Sequence, residues 1–322
     1  MSARASAAAV SASAPAGSDV PPELGPLRPG ARVALVAVSG PPAAPLVERS
    51  LDLVRAWGLE PVVFPSVAAS HPRASYLAGD DAQRAADLQQ AWCDPSIDAV
   101  FCVRGGYGSV RVLDRLDVSA LAAAAPKPLF GSSDVTGVHE FWLERLGVAT
   151  WFTPMLATGA LLDDDEAIES LRRSVLEPVA GRVYTSSDAR VLVPGRATGQ
   201  TVGGNLSLVA MTLGAKGRPP VDNTGRIALL EDVTEATYRV DGFLMSLLRA
   251  GWFDGIAGIA LGSWHECGPL EEIEALAVEL LAPLGVPLVW ELGFGHGPRA
   301  HSVPLGTIAT LEAEDAPRLV VG

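Results

Sequence analysis

The chain has 322 residues, of which 48% are hydrophobic and 19% charged, and its 37 acidic and 24 basic residues leave a formal net charge of −13. This composition supports a large buried core and excludes a wholly disordered chain. The negative charge argues against partners with a phosphate backbone or an anionic surface, so we expect neither nucleic acid nor membrane as a partner.

Residues 1–30 are rich in alanine, serine, proline and glycine and show no helical or strand periodicity, so we predict a disordered leader. A secretory signal would need a basic start and an uninterrupted apolar run, whereas serines and a proline interrupt the residues after Arg4. No later segment is apolar over the roughly 18 residues that a membrane span requires. We therefore expect a cytoplasmic protein.

From Arg32 onward, apolar runs alternate with amphipathic segments. The run RVALVAV is typical of a strand buried on both faces of a parallel sheet. Alternation of strands and helices at this spacing predicts a wound α/β domain over residues 31–165 with right-handed crossovers. Its predicted strands include Pro61–Phe64, Ile97–Val103 and Pro128–Phe130, and its predicted helices include Pro45–Trp57, Asp80–Trp92 and Asp134–Leu146.

After about Leu176 the pattern changes to short β-like pieces with frequent glycines, and we predict a linker region at residues 166–195. The alternation resumes at the apolar strand Arg226–Glu231, so residues 196–322 are predicted to form a second domain. Its further predicted elements are helix Tyr238–Arg249, strand Ile256–Leu261, helix Leu270–Leu281, strand Pro287–Val289 and a β-rich end.

The chemistry is expected at the turns that follow apolar strands, because open α/β sheets bind ligands outside the carboxyl ends of their strands. In PLFGSSDV, a short strand ends in two serines before a helix that opens at Asp134. A serine on such a sharp turn can project its hydroxyl above the sheet as an acyl-transfer nucleophile. The same residues could equally be a helix cap, because serine and aspartate are preferred capping residues.

Two other turns carry candidate groups. The paired glycines of RGGYGS could aim backbone N–H groups at developing negative charge, cradle a phosphate, or form a tight turn without a ligand. The strand of LLED ends in Glu231 and Asp232. A carboxylate there could orient a histidine and stabilise its imidazolium form, or be a solvated turn residue.

A serine nucleophile needs a base, and His296 is the strongest candidate. It lies between glycines in GFGHGP, so we expect its ring to face a cleft rather than a packed core. The sequence has no metal-binding histidine or cysteine motif, and we expect neither a metal nor a cofactor. The other histidines are His71, His139, His265 and His301, and the cysteines, predicted to be free thiols, are Cys93, Cys102 and Cys267.

RGGYGS, GSSDV, LLEDVTEATYRVD and FGHGPRAHS follow one another in an order that resembles the LD-carboxypeptidase family, serine peptidase family S66, which includes the microcin C self-immunity peptidases. The resemblance covers about residues 32–310 and implies a catalytic triad of Ser133, Glu231 and His296. It also implies an N-terminal Rossmann-like parallel-sheet domain carrying the serine. A C-terminal β-rich α/β domain of the swivelling type would carry the other two residues, with the site between the domains.

The same resemblance implies an oxyanion hole made by the backbone N–H groups of Gly106 and Asp134. Arg104, Gly105 and Arg299 lie near the family motifs, and we take them as candidate contacts for the substrate. The sequence departs from the family pattern at Ser132, at residues 152–154 (FTP) and within PRAHS, and these changes are expected to alter the lining of the pocket.

Three functions remain open on this resemblance. The first is a metal-free LD-carboxypeptidase of cell-wall recycling, which releases the terminal D-alanine of murein tetrapeptide through an acyl-enzyme. The second is a microcin-immunity-like hydrolase of peptidyl or aminoacyl nucleotides, which an aromatic residue able to stack on a base would support. The third is a non-catalytic binder of cell-wall peptides, which the departures from the family pattern favour. The resemblance also implies a homodimer.

Overall fold

The structure, a computed structural model, describes Pro21 and residues 24–215 and 221–322. Most of the predicted leader, residues 1–30, lies outside the described residues. Near its end, Leu24 is fully buried and the N–H of Leu27 donates a 2.8 Å hydrogen bond to the carbonyl of Val175. The segment just before the first strand therefore packs against the folded chain.

The first half of the chain alternates strands with helices. The elements are β1 (Arg32–Val36), α1 (Ala44–Ala56), β2 (Glu60–Val63), α2 (Asp81–Cys93), β3 (Ala99–Cys102), α3 (Val110–Leu113), α4 (Val118–Ala123), β4 (Leu129–Gly131), α5 (Thr136–Phe141), β5 (Thr150–Phe152), α6 (Gly159–Leu162) and α7 (Asp165–Leu176). Strands β1 to β5 are parallel and lie in the order β5-β4-β3-β1-β2.

Strand β1 shows why these segments read as continuous apolar runs. Val33 and Leu35 belong to one hydrophobic cluster, whereas Ala34 and Val36 belong to another on the opposite face of the sheet. Because both faces are covered, neither set of alternating side chains can be polar. The predicted parallel sheet is confirmed.

The second half forms an eight-stranded sheet. Its elements are β6 (Val183–Tyr184), β7 (Arg190–Val193), β8 (Gly195–Asn205), α8 (Leu206–Thr212), β9 (Ile227–Val233), α9 (Thr237–Arg249), β10 (Gly258–His265), α10 (Leu270–Leu281), β11 (Leu288–Trp290), β12 (Val303–Leu305), β13 (Ile308–Ala313) and β14 (Arg318–Val321). The order is β6-β14-β13-β8-β9-β10-β11-β7. The central strands β8 to β11 are parallel and antiparallel strands flank them, which confirms the β-rich α/β fold of this half.

Strand β12 is the exception, because it leaves the second half and joins the first sheet. It pairs antiparallel with β5, with Val303 opposite Phe152 and Leu305 opposite Thr150. One hydrophobic cluster contains residues of both sheets, so the two halves share a continuous core. Among the described residues, no helix has both the length and the apolar character needed to cross a bilayer.

Candidate active site

Ser133 occupies a strained turn at the carboxyl end of β4. The strand ends at Gly131, and a 3₁₀ turn at Ser133–Val135 leads directly into α5. Ser133 has a φ of 56°, a left-handed conformation that costs a non-glycine residue on the order of 1–3 kcal/mol. A serine held in such a strand-to-helix turn presents its hydroxyl at the edge of the sheet, as a nucleophile requires.

Gly105 lies directly against the Ser133 side chain. A Cβ atom on Gly105 would lie 2.8 Å from both the Cβ and the Oγ of Ser133, so a residue with a side chain does not fit there without a shift. The backbone nitrogen of Asp134 lies 3.6 Å from the same Cβ position, so this N–H group is close to the Ser133 side chain. A backbone N–H group beside a serine hydroxyl is the kind of donor that can stabilise an oxyanion.

The Asp134 carboxylate ties the serine turn to its surroundings. It is buried and accepts hydrogen bonds from Ser39 Oγ at 2.5 Å and from the N–H of Ser109 at 2.7 Å. The Ser109 hydroxyl also donates to the Asp134 carbonyl. Since Ser109 ends the RGGYGS segment, these bonds fix the glycine loop relative to the serine turn.

Arg104 packs against the glycine loop of RGGYGS. Its guanidinium lies against Gly40 and Gly106, where a Cβ atom on either glycine would collide with Nη1. The same nitrogen donates a 3.3 Å hydrogen bond to the carbonyl of Gly105. The structure thus places the guanidinium of this sequence candidate against the glycine loop.

His296 and Glu231 form a close pair. Nδ1 of His296 lies 2.6 Å from Oε2 of Glu231, whose side chain is fully buried, while the imidazole is 22% exposed. Burial lowers the pKa of His296, but the charge and hydrogen bond of Glu231, together with the charge of Asp232, raise that pKa above its ordinary value. The pair has the geometry of a general base oriented by a carboxylate.

Asn205 connects this pair to the serine turn. Its Nδ2 donates to Oε1 of Glu231 at 3.1 Å and to Oδ1 of Asp232 at 2.8 Å, and its backbone N–H donates to Thr136 Oγ1 at 3.0 Å. Thr136 is the first residue of α5, so hydrogen bonds run from the helix that follows Ser133 to Glu231 and on to His296. The sequence interpretation did not identify Asn205, although an asparagine between two glycines and a helix marks a strand end.

Gly204 allows this close approach. It has a φ of 132°, and a Cβ atom there would lie 2.7 Å from Thr136 Oγ1. The ring of Phe152, in the FTP departure from the family pattern, packs beside Gly204 and makes an edge contact with Phe294 at 6.4 Å between centroids. Phe152 therefore fills the junction between the serine turn and the loop that carries His296.

Asp232 is a second buried carboxyl group next to Glu231. It accepts hydrogen bonds from the N–H groups of Ser207 at 2.8 Å and Val233 at 2.9 Å. Burial first, and then the neighbouring charge of Glu231, raise the pKa of Asp232 to about 7. Two carboxyl groups share one dry site, so protonation of one favours ionisation of the other.

Not every candidate is in contact with the others. Within the described residues, Ser133 makes no hydrogen bond with His296, and Thr136 and Asn205 provide the connection.

Arg299 is exposed on the loop after His296, where its N–H donates to the Asp164 carboxylate at 2.6 Å. His139 is buried below the serine turn, with 2.9 Å contacts to Thr150 Oγ1 and the Gly131 carbonyl, and burial lowers its pKa to about 4.

The free-cysteine prediction holds, because Cys93, Cys102 and Cys267 are unpaired thiols. In the part of the chain that the structure describes, no group of three or more histidine, cysteine, aspartate or glutamate side chains could hold a metal ion.

Comparison with known protein families gives two successive matches. A model described as the N-terminal domain of LD-carboxypeptidase, peptidase family S66, matches residues 33–153, and the corresponding C-terminal domain model matches residues 198–311. The first match contains Ser133 and the glycine loop, and the second contains Asn205, Glu231 and His296.

Individual relatives cover almost the whole chain. A putative carboxypeptidase of Streptomyces coelicolor is 49% identical over 288 residues, which span 89% of this chain and 92% of the relative. A murein tetrapeptide carboxypeptidase of Pseudomonas aeruginosa is 34% identical over 292 residues, spanning 87% and 93%. The structure of MccF in complex with glutamyl sulfamoyl guanosine has a similar fold, with a TM-score of 0.80 at 20% identity over 92% of this chain and 97% of MccF.

Proposed function

Because the chain belongs to the LD-carboxypeptidase family of serine peptidases, we propose that it releases the terminal D-alanine of murein tetrapeptide with Ser133, Glu231 and His296 as its catalytic triad. The relative from Pseudomonas aeruginosa, named for this substrate, supports the choice. The observation that carries the proposal is the 2.6 Å bond between His296 and the buried Glu231, on elements tied to the turn of Ser133.

In the proposed reaction, Ser133 Oγ attacks the carbonyl carbon of the scissile amide while Nε2 of His296 accepts the hydroxyl proton. The N–H groups of Gly106 and Asp134 donate to the oxyanion of the tetrahedral intermediate. His296 then gives its proton to the amine of the departing D-alanine. Water attacks the acyl-enzyme with the same base, and the release of the shortened peptide regenerates Ser133.

Glu231 serves this reaction in two ways. Its hydrogen bond to Nδ1 keeps the proton on that nitrogen, so Nε2 is free to accept the serine proton. Its negative charge stabilises the imidazolium that forms in the transition state. Because Glu231 is fully buried, water does not screen this charge.

An exposed pair of tyrosines supports a second candidate, the hydrolysis of aminoacyl nucleotides. Tyr107 follows Gly105 by two residues, and its ring meets the ring of Tyr76 edge to face at a centroid distance of 6.0 Å. The two residues are 39% and 51% exposed, so they offer an aromatic surface beside the glycine loop on which a base could stack.

Mass spectrometry of the purified protein with murein tetrapeptide tests the proposal. We expect release of D-alanine by the wild type and by Ser132→Ala, and none by Ser133→Ala. Ser132 is the matched control because it lies in the same turn. Its backbone N–H donates to Met155 Sδ at 3.0 Å, and alanine keeps this donor. An aminoacyl-sulfamoyl adenosine provides the second substrate. Cleavage of this compound alone would favour the nucleotide reaction, and binding without cleavage of either would favour a non-catalytic binder.

A further inference from the structure

Four polar residues follow one another along the carboxyl edge of the parallel strands in the second sheet. Asn205 ends β8, Glu231 lies in β9, Ser263 lies in β10 and Glu291 follows β11 by one residue. The first two belong to the proposed catalytic machinery. The carboxyl edge of parallel strands is where α/β sheets bind ligands, and the other two residues lie further along the same edge.

A cavity of about 340 Å³ lies at this second part of the edge and is lined by Ser263, Glu291 and residues 297–301. Its size falls within the range of small-molecule sites. Ser263 Oγ accepts a 2.8 Å hydrogen bond from the N–H of Gly297, the residue after His296. The cavity therefore adjoins the proposed catalytic base, and Glu291 lies two strand spacings, about 10 Å, from Glu231 along the edge.

Glu291 presents a carboxyl group to this cavity without a cation of its own. Burial is the main cause that raises the pKa of Glu291 to about 7, and the charge of Asp188 also raises it, whereas a hydrogen bond from the backbone N–H of Trp264 lowers it. Arg190 lowers that pKa, but its guanidinium pairs with Glu274 at 2.8 Å. In the described part of the chain, Glu291 forms no ion pair, so a bound ammonium group would supply the missing charge.

The backbone holds Glu291 in this orientation at a cost. Its φ of 53° is left-handed, and Ser186 Oγ donates to its carbonyl at 2.5 Å. Arg299 lines the same cavity, also with a left-handed φ of 57°, and its backbone is fixed by Asp164. The cavity is thus lined by three acidic residues and by two residues that can carry positive charge, which suits a ligand that has an ammonium and a carboxylate group: Glu166, Asp188, Glu291, Arg299 and His301.

We propose that this cavity is the subsite for the side chain of the residue that supplies the acyl group, and that Glu291 binds an ammonium group at the end of that side chain. Arg299 would bind a carboxylate where the side chain also carries one, as in a diamino diacid. The inference rests on the proposed peptidase reaction, because it assigns the residue on the acyl side of the scissile bond.

Three tetrapeptides that differ only in their third residue test the inference. L-lysine carries an ammonium group, L-norleucine has the same carbon chain without it, and meso-diaminopimelate carries both charged groups. We expect Glu291→Gln to lower kcat/KM for the lysine peptide by about tenfold to hundredfold, the range for a charge-assisted hydrogen bond, and to leave the norleucine peptide unchanged. Arg299→Gln should lower kcat/KM for the diaminopimelate peptide and leave kcat/KM for the other two peptides unchanged.

The controls separate this inference from the reaction itself. Glu279→Gln removes a carboxylate from the exposed face of α10 and should change none of the three rates. Glu291→Asp keeps the charge and should retain part of the preference for lysine, which guards against a general loss of folding. Equal cleavage of the lysine and norleucine peptides by the wild type, or an equal effect of Glu291→Gln on both, overturns the subsite. Cleavage of none of the three overturns the proposed peptidase reaction and the subsite with it.

Discussion

The imidazole of His296 and the carboxylate of Glu231 meet at 2.6 Å across the end of β9, with the carboxylate fully buried and the imidazole partly exposed. The two residues are 65 positions apart in the chain. The arrangement leaves Nε2 as the nitrogen that can exchange a proton with a substrate, because Nδ1 is engaged by Glu231.

This pair predicts the pH dependence of the reaction. A general base must be neutral, so kcat/KM should fall as the pH decreases through the pKa of His296, which lies above the ordinary value of 6.5. Glu231→Gln removes the charge that raises this pKa, so the acidic limb should move to lower pH. The maximal rate should also fall, by about 10⁴-fold as in other serine triads. A pH series of steady-state kinetics measures both effects.

Glu279→Gln provides the control for this series, because it removes one negative charge from an exposed helix face. Its profile should overlay that of the wild type. An acidic limb that stays in place in Glu231→Gln would mean that the limiting titration belongs to another group.

The contact between Gly105 and Ser133 predicts a defect confined to catalysis. In Gly105→Ala the new methyl group would lie 2.8 Å from the Ser133 hydroxyl, so the serine or the loop must move. A displacement near 1 Å is enough to cost about 10²-fold in kcat. Steady-state kinetics measure this loss, and thermal unfolding shows whether the protein remains folded.

Gly242→Ala is the matched substitution. Gly242 lies within α9, and no atom would lie within 4 Å of a Cβ there. Alanine should stabilise the helix by about 0.5–1 kcal/mol and leave kcat unchanged. If both alanine variants kept full activity, Gly105 would not limit the space around the nucleophile.

Asn205→Ala should lower both stability and kcat. The variant loses the donor to two buried carboxyl groups, at a cost of about 1–3 kcal/mol in the free energy of unfolding, and Glu231 loses its support at Oε1. Asn223→Ala is the control, because Asn223 is also buried but donates to the Trp252 carbonyl instead. It should lose comparable stability and keep its kcat, whereas equal kcat values in the two variants would argue against a positioning role for Asn205.

The sequence predicts the sheets better than their connections. The alternation of apolar strands with helices is a local pattern, and it predicts the parallel sheet of the first half and the turn that carries Ser133. It places Glu231 at the end of its strand, whereas β9 continues to Val233. Strand β12 is only three residues long, and nothing in VPL indicates that it pairs with β5. The role of Asn205 depends on hydrogen bonds to residues 26 and 69 positions away, which leave no trace in local periodicity.

The same limit applies to the pairing of His296 with Glu231. Flanking glycines indicate an accessible ring, and a predicted strand end indicates a carboxylate at the edge of the sheet, although Glu231 is fully buried. Neither pattern specifies a partner, and only the resemblance to a family links His296 with Glu231. The cavity beside Glu291 had no counterpart in the motifs, because its walls come from separate loops.

Asp232 gives the last prediction, which concerns stability rather than rate. Its pKa is about 7 in the folded protein and near 3.9 in an unfolded chain, so between these values the folded state holds the additional proton. Unfolding releases that proton, and the contribution of Asp232 to stability therefore decreases as the pH rises from about 4 to about 7. Asp232→Asn cannot titrate and should lack this decrease.

The free energies of unfolding of the wild type and of Asp232→Asn should therefore converge as the pH rises. At pH 5 the asparagine variant is expected to be less stable by about 1–3 kcal/mol, because one of its amide hydrogens faces the N–H of Ser207 and leaves it unpaired. At pH 8 the ionised Asp232 lies beside the negative charge of Glu231 in the wild type, so the difference should shrink or reverse. Urea unfolding at several pH values measures the difference, and parallel curves would mean that Asp232 keeps an ordinary pKa in the fold.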